Sequence, residues 1–234
     1  MVTLTIDGQH VRVEEGTPIL EVARKLGLHI PTLCYHPALK PHGACRLCMV
    51  EVNKNKWSKL VTSCNYPAEE GLEVSTSSDR VKRIRRVLME LFLARCPNVP
   101  VIQQLAERKG IRTSRLKKID DQRCILCGLC VRTCEEMVGV SAISFTNRGT
   151  DREVNTPFGI ASDVCIGCGA CTYICPTTCI EMICNSDDAG GQSLHMGELA
   201  LEACPYNHAC DTCEMEQHFV EDMKSAVQQL RKTS

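Results

Sequence analysis

Two matching cysteine runs constrain this chain more than any other feature. The first holds Cys124, Cys127, Cys130 and Cys134; the second holds Cys165, Cys168, Cys171 and Cys175. Each is spaced C-x2-C-x2-C-x3-C, and Pro176 follows the second. Three thiols, each separated from the next by two intervening residues, lie on a loop that wraps one corner of a compact object. A fourth ligand must come from elsewhere, because the chain cannot curl tightly enough to close such a site alone. The spacing is that of thiolates around a cubane iron–sulfur cluster. Zinc and disulfides are the alternatives, and structural zinc favours separated C-x2-C pairs that build a tetrahedron.

On these runs, residues 119–185 resemble the two-[4Fe-4S] module of bacterial ferredoxins. In that module the fourth cysteine of each run ligates the other cluster. The resemblance therefore implies one cluster on Cys124, Cys127, Cys130 and Cys175. It implies a second on Cys165, Cys168, Cys171 and Cys134. Gly128, Gly167 and Gly169 are expected to let backbone N–H groups approach the sulfurs closely.

Composition bounds the remaining possibilities. The chain has 234 residues, 18 of them cysteine, and a net charge of −1. A balanced charge gives no reason to expect nucleic acid or a charged membrane surface. The first residues lack a basic segment followed by an apolar one, so no signal peptide is expected. No apolar run approaches the roughly 20 residues of a membrane span. Many cysteines without an export signal point to metal ligation in a reducing cytoplasm rather than to a disulfide framework. Aromatic residues make up 4%, too few for a large apolar core. Bound metal is then expected to staple small modules together.

The N-terminal segment reads as an α+β domain. Residues 2–6 alternate as a strand, Asp7-Gly8 is a hairpin turn signal, and residues 10–13 return. Thr17-Pro18 reads as a helix start, with Gly27 as its stop. Further strands are expected over 49–52, 60–63 and 73–76. Strand, hairpin and helix in this order make a β-grasp domain. On it Cys34, Cys45, Cys48 and Cys64 form one set of four, able to give each iron of a [2Fe-2S] cluster two thiolates; a four-cysteine zinc site is the alternative. Ten residues separate Cys34 from Cys45, against four in plant-type ferredoxins. The longer loop, with Gly43-Ala44-Cys45-Arg46-Leu47-Cys48, resembles the N-terminal ferredoxin domain of the large iron–sulfur subunit of respiratory complex I. Many [FeFe]-hydrogenase catalytic subunits begin with the same domain. The resemblance covers residues 1–78.

A helical connector over 79–118 follows. Ser77-Ser78-Asp79 should cap a helix to about Arg95, with Val81, Ile84, Leu88, Leu91 and Phe92 as its apolar face. Its basic start (Arg80, Lys82, Arg83, Arg85, Arg86) has the wrong sign for a helix N-terminus. It reads as a solvated face, with docking to an acidic partner as the sharper alternative. A second helix is expected from Pro100 to Lys109. The complex I subunit carries a further cluster in this region. Here only Cys96 is present, so no cluster is expected and Cys96 reads as a buried apolar residue.

In the dicluster segment, short strands are expected over 142–145, 160–162 and 180–183, with 154–157 as a turn. Cys179 reads as packing. The C-terminal extension, residues 186–234, contains Cys204, Cys210 and Cys213. With Cys184 these can make a further [4Fe-4S] or zinc site, in which His195 or His208 could replace a cysteine; unligated thiols are the remaining possibility. Residues 215–230 place Met215, Phe219, Val220, Met223, Val227 and Leu230 on one helical stripe.

Neither a dinucleotide-binding G-x-G-x-x-G nor a phosphate-binding Walker loop occurs. The chain resembles the small iron–sulfur subunits of soluble, flavin-based, electron-bifurcating NAD(P)-linked oxidoreductases, among them hydrogenases, transhydrogenases and formate dehydrogenases. That resemblance implies an electron relay with no substrate site of its own. It places FMN and NAD(P) on a separate flavoprotein subunit, beside a catalytic redox subunit, with soluble ferredoxin as a further partner. A free-standing polyferredoxin and a zinc-stabilised interaction module are the alternatives.

Overall fold

The computed structural model describes residues 1–55, 57–116, 121–160 and 162–181. The chain divides into two compact units. The first takes Met1–Tyr35 and Lys40–Cys127; the second takes His36–Leu39 and the described residues from Gly128 onward.

In the first unit, strand β1 (Val2–Ile6) pairs antiparallel with β2 (Gln9–Val13), Val2 opposite Val13. Asp7 and Gly8 both adopt positive φ, 46° and 83°, as a two-residue hairpin turn of matching twist requires. Period-2 alternation puts Val2, Leu4 and Ile6 into the core. Helix α1 (Ile19–Lys25) covers that face through Ile19, Leu20, Val22 and Ala23. Burial of each larger side chain here stabilises the fold by about 1.5–3 kcal/mol. Thr17 is not the expected cap: its hydroxyl donates to the Glu14 carbonyl at 2.8 Å, and Pro18 stands at the N-cap position.

Strands β3 (Met49–Lys54), β4 (Trp57–Thr62) and β5 (Glu73–Ser75) complete a five-stranded sheet in the order β2-β1-β5-β3-β4. β1 and β5 run parallel; the other pairs are antiparallel. β4 begins three residues before the expected Leu60.

Helix α2 (Asp79–Arg95) is capped by Ser78, whose side chain accepts from the Val81 N–H at 3.3 Å. Its buried stripe is not the expected one. Val81, Arg85, Met89, Glu90 and Ala94 are buried, whereas Leu91 is half exposed. Ile84, Leu88 and Phe92 are only partly buried. The apolar pattern fits two adjacent stripes, and the one carrying Arg85 and Glu90 faces inward because both charged groups find partners there. Glu90 takes Arg115 in a two-pronged ion pair, Arg115 Nη2 at 2.8 Å and Nε at 3.0 Å from its Oε2. Helix α3 (Pro100–Glu107) has Pro100 in its first turn and buries Ile102 and Ala106.

The second unit holds two short helices, α4 (Leu129–Arg132) and α5 (Ala170–Tyr173). A π-helical turn, Thr133–Val138, continues α4. Strands β6 (Ser144–Thr146) and β7 (Glu153–Asn155) form an antiparallel hairpin. β7 occupies residues expected as a turn, and the strand expected over 160–162 does not form at its described positions. Ile180 and Glu181 lie in no strand. The rest of that expected strand, the amphipathic helix over 215–230 and the sites at Cys184, Cys204, Cys210 and Cys213 lie outside the described residues. No described helix is long and apolar enough to cross a membrane.

Candidate iron–sulfur centres

Cys34, Cys45, Cys48 and Cys64 are all buried, each at 5% exposure or less. They come from the long loop after α1, its return into β3, and the second residue beyond β4. The sheet register places these together: Met49 lies opposite Thr62, so Cys48 and Cys64 leave adjacent strand ends. The thiols stand as two pairs. Cys64 hydrogen-bonds to Cys48, which lowers the Cys48 pKa and raises that of Cys64. Cys34 hydrogen-bonds to Cys45 and, with burial, raises its pKa. Main-chain donors act the other way, favouring the thiolates: Cys45 N–H to the Cys34 sulfur at 3.3 Å, and Leu33 N–H to the Cys45 sulfur at 3.4 Å. Four crowded thiols repel one another once ionised, and the N–H groups offset only part of that charge. Such a site fits a cationic iron core with two thiolates per iron.

The two cysteine runs have matching backbones. Leu126 and Gly128 in the first are left-handed at φ 54° and 74°; Gly167 and Gly169 in the second are left-handed at 65° and 71°. In each run the second of these residues is the N-cap of the following helix, α4 or α5. The left-handed residues thus supply the turns, and in the first loop the Leu126 N–H donates to the Cys124 sulfur at 3.3 Å. Cys127, Cys130, Cys134 and Cys175 are buried, Cys124, Cys168 and Cys171 half-buried, and Cys165 exposed.

The fourth cysteines also correspond. Ala142 N–H donates to the Cys134 sulfur at 3.2 Å, and Cys179 N–H to the Cys175 sulfur at 3.4 Å. The segment from Cys134 to Ala142 is four residues longer than that from Cys175 to Cys179, and most of the π-helical turn lies within it. Cys179 therefore occupies the position of Ala142, with its own sulfur 3.5 Å from that of Cys175. Sequence reasoning saw only packing there.

It also missed a backbone device. Ser141, Thr178 and Arg46 are left-handed at φ 50°, 47° and 59°. Each directly precedes an N–H that donates to a cysteine sulfur: Ala142 to Cys134, Cys179 to Cys175, and Leu47 to Cys45. A left-handed residue turns the next peptide around so that its N–H faces the sulfur. Three non-glycine residues in that strained region are the mark of constrained sites. Cys96, fully buried, directs its thiol at the Cys124 carbonyl at 3.6 Å. Among the described residues, no three or more His, Cys, Asp or Glu side chains are arranged to hold a single metal ion.

Residues 1–79 match the family described as a 2Fe-2S iron-sulfur cluster binding domain. Residues 117–182 match the 4Fe-4S dicluster domain. The chain is 37% identical over 201 residues to the NADPH-Fe(3+) oxidoreductase subunit alpha of Geobacter sulfurreducens, covering 76% of this chain and 24% of that protein. It is 36% identical over 208 residues to the NADP-reducing hydrogenase subunit HndD of Solidesulfovibrio fructosivorans, covering 76% and 35%. It is 32% identical over 202 residues to an NADH-quinone oxidoreductase subunit of Rhizobium meliloti, covering 75% and 23%. The chain thus spans about a quarter to a third of the length of these curated relatives. Among solved structures, a chain of an NAD+-reducing [NiFe]-hydrogenase in the H2-reduced state matches with a TM-score of 0.59 and 32% identity, covering 66% of this chain and 74% of that one.

The fold and its cysteines define an iron–sulfur protein of ferredoxin type, with a [2Fe-2S] domain ahead of a 4Fe-4S dicluster domain. More narrowly, the chain belongs to the family of the matched chain of the NAD+-reducing [NiFe]-hydrogenase, and over its matched part it is similar to the NADPH-Fe(3+) oxidoreductase and NADP-reducing hydrogenase subunits.

Proposed function

We propose that this chain is the electron relay of a multi-subunit NAD(P)H- and ferredoxin-linked oxidoreductase, of the electron-bifurcating kind. The observation that carries the reading is the presence, on one chain, of a paired four-cysteine site and two cysteine loops of the same backbone shape. Each centre, when assembled, exchanges one electron. The protein's part is to hold the thiolates, aim N–H groups at their sulfurs and keep water off the buried ones. Cys165 is the exposed member of its run, so its centre is the one we assign to exchange with a partner.

The ligand sets proposed are Cys34, Cys45, Cys48 and Cys64 for [2Fe-2S]. The crossed sets, Cys124, Cys127, Cys130 with Cys175 and Cys165, Cys168, Cys171 with Cys134, hold the cubanes. FMN and NAD(P) are proposed on a partner flavoprotein in the cytoplasm, supported by the NAD(P)-linked relatives. Anaerobic affinity purification from the native cell tests this. Co-isolation of a flavin-containing subunit, with clusters that NADH or NADPH reduces only when it is present, is the expected result. A fully loaded monomer without flavoprotein would establish the free-standing carrier instead.

A further inference from the structure

We propose that Arg85 is a positioning residue for the [2Fe-2S] site, a fixed buried positive charge behind Cys48 whose counter-charge is the ligated thiolate cluster. The inference rests on the assignment of Cys34, Cys45, Cys48 and Cys64 as ligands.

Arg85 is 7% exposed, and its three hydrogen bonds all run to main-chain carbonyls. Nε donates to Leu47 O at 3.0 Å, Nη2 to Met49 O at 2.7 Å and Nη1 to Thr76 O at 3.0 Å. The first two carbonyls belong to the residues on either side of Cys48. Because a trans peptide holds its C=O and N–H in opposite directions, fixing Leu47 C=O on the guanidinium aims the Cys48 N–H away from it. The Cys48 carbonyl is held separately, by the N–H and hydroxyl of Ser63 at 3.1 and 2.8 Å. Arg85 therefore sets the conformation of the ligand loop from behind.

Among the described residues, no carboxylate pairs with this group. Asp7, near enough to feel it, gives both oxygens to Thr76. Glu51 takes Arg80, Ser58 and Ser78, and Glu90 takes Arg115 and Arg86. A buried guanidinium bound only to neutral carbonyls is expensive unless some anion answers it. Burial pulls its pKa down, and the charges that resist are Cys48 and Asp7. A four-thiolate cluster supplies the missing negative charge. Uptake of one electron adds one more negative charge there, with no proton required, so Arg85 favours the reduced state and raises the potential.

The test is an EPR-monitored redox titration of the anaerobically purified full chain, with the two [4Fe-4S] signals as internal reference and iron content as the measure of loading. Arg85→Gln removes the charge and is expected to lower the [2Fe-2S] midpoint potential while both cubane potentials stay in place. Arg85→Lys keeps the charge, loses the planar fork, and is expected to load fully with a smaller shift. A fully loaded Arg85→Gln protein with unchanged potential would overturn the proposal. Where the glutamine variant does not load, a lysine variant that loads near the original potential supports the charge role. A lysine variant that also fails to load overturns it in favour of a purely structural fork. Absence of any [2Fe-2S] signal from the unsubstituted protein, with both cubanes present, would instead refute the ligand assignment.

Discussion

The sulfur of Cys179 lies 3.5 Å from that of Cys175, in the position that Ala142 occupies beside Cys134. Both residues donate a main-chain N–H to the corresponding sulfur, and the second copy adds an S–H donor that alanine cannot supply. Once Cys175 is a ligand its sulfur carries no proton, and the shared hydrogen belongs to Cys179. Hydrogen bonds to ligand sulfur tune cluster potential. Cys179→Ala should therefore lower the midpoint potential of one [4Fe-4S] centre, leaving the other unchanged and the iron content intact. Cys179→Ser should restore most of the shift. Two unchanged potentials in Cys179→Ala would show the thiol to be packing alone.

Cys48→Ala tests the N-terminal centre. Cys48 and Cys64 form one of the two thiol pairs, so its loss leaves one iron with a single thiolate. The expected outcome is loss of the [2Fe-2S] EPR signal, about two irons fewer per chain, and both cubane signals retained. Retention of the [2Fe-2S] signal would refute the assignment.

Cys134→Ala tests the crossed ligation. Cys134 follows Cys130 in the first run, but its proposed cluster is that of Cys165, Cys168 and Cys171. The EPR signal lost or converted to a three-iron form should be the one also lost in Cys168→Ala. Should it instead match Cys127→Ala, each run holds its own cluster.

The ion pair of Glu90 with Arg115 gives a pH test. The Arg115 hydrogen bonds hold the Glu90 carboxyl below its ordinary pKa. A depressed carboxylate contributes stability that is present above its unfolded pKa, near 4.3. That contribution disappears as pH falls through the folded value. Thermal denaturation of the intact protein should show Glu90→Gln less stable at pH 7, with the gap to the unsubstituted protein holding down to about pH 5 and narrowing as pH falls below about 4.3. A constant gap would assign the effect to packing.

Much of the architecture was legible because simple periodicities report it. Val2, Leu4 and Ile6 alternate, Asp7-Gly8 turns, and the cysteine spacings repeat. The inward face of α2 was not legible, since Ile84, Leu88 and Leu91 make a more apolar stripe than Val81, Arg85 and Met89. Arg85 is buried because carbonyls of a distant loop receive it, and no local pattern encodes that. The left-handed Arg46, Ser141 and Thr178 were equally hidden, as none is a residue type that favours the conformation. Val154 begins no turn because it pairs with Phe145 across β6 and β7, a tertiary choice overriding the Asn155 and Pro157 turn signal.

Iron and acid-labile sulfide content of the anaerobically purified chain tests the central claim most directly. About ten irons and about ten sulfides per chain follow from one [2Fe-2S] and two [4Fe-4S] centres, and about fourteen of each if the C-terminal cysteines hold another cubane. Zinc with little iron and no sulfide would contradict the relay and identify a metal-stabilised interaction module.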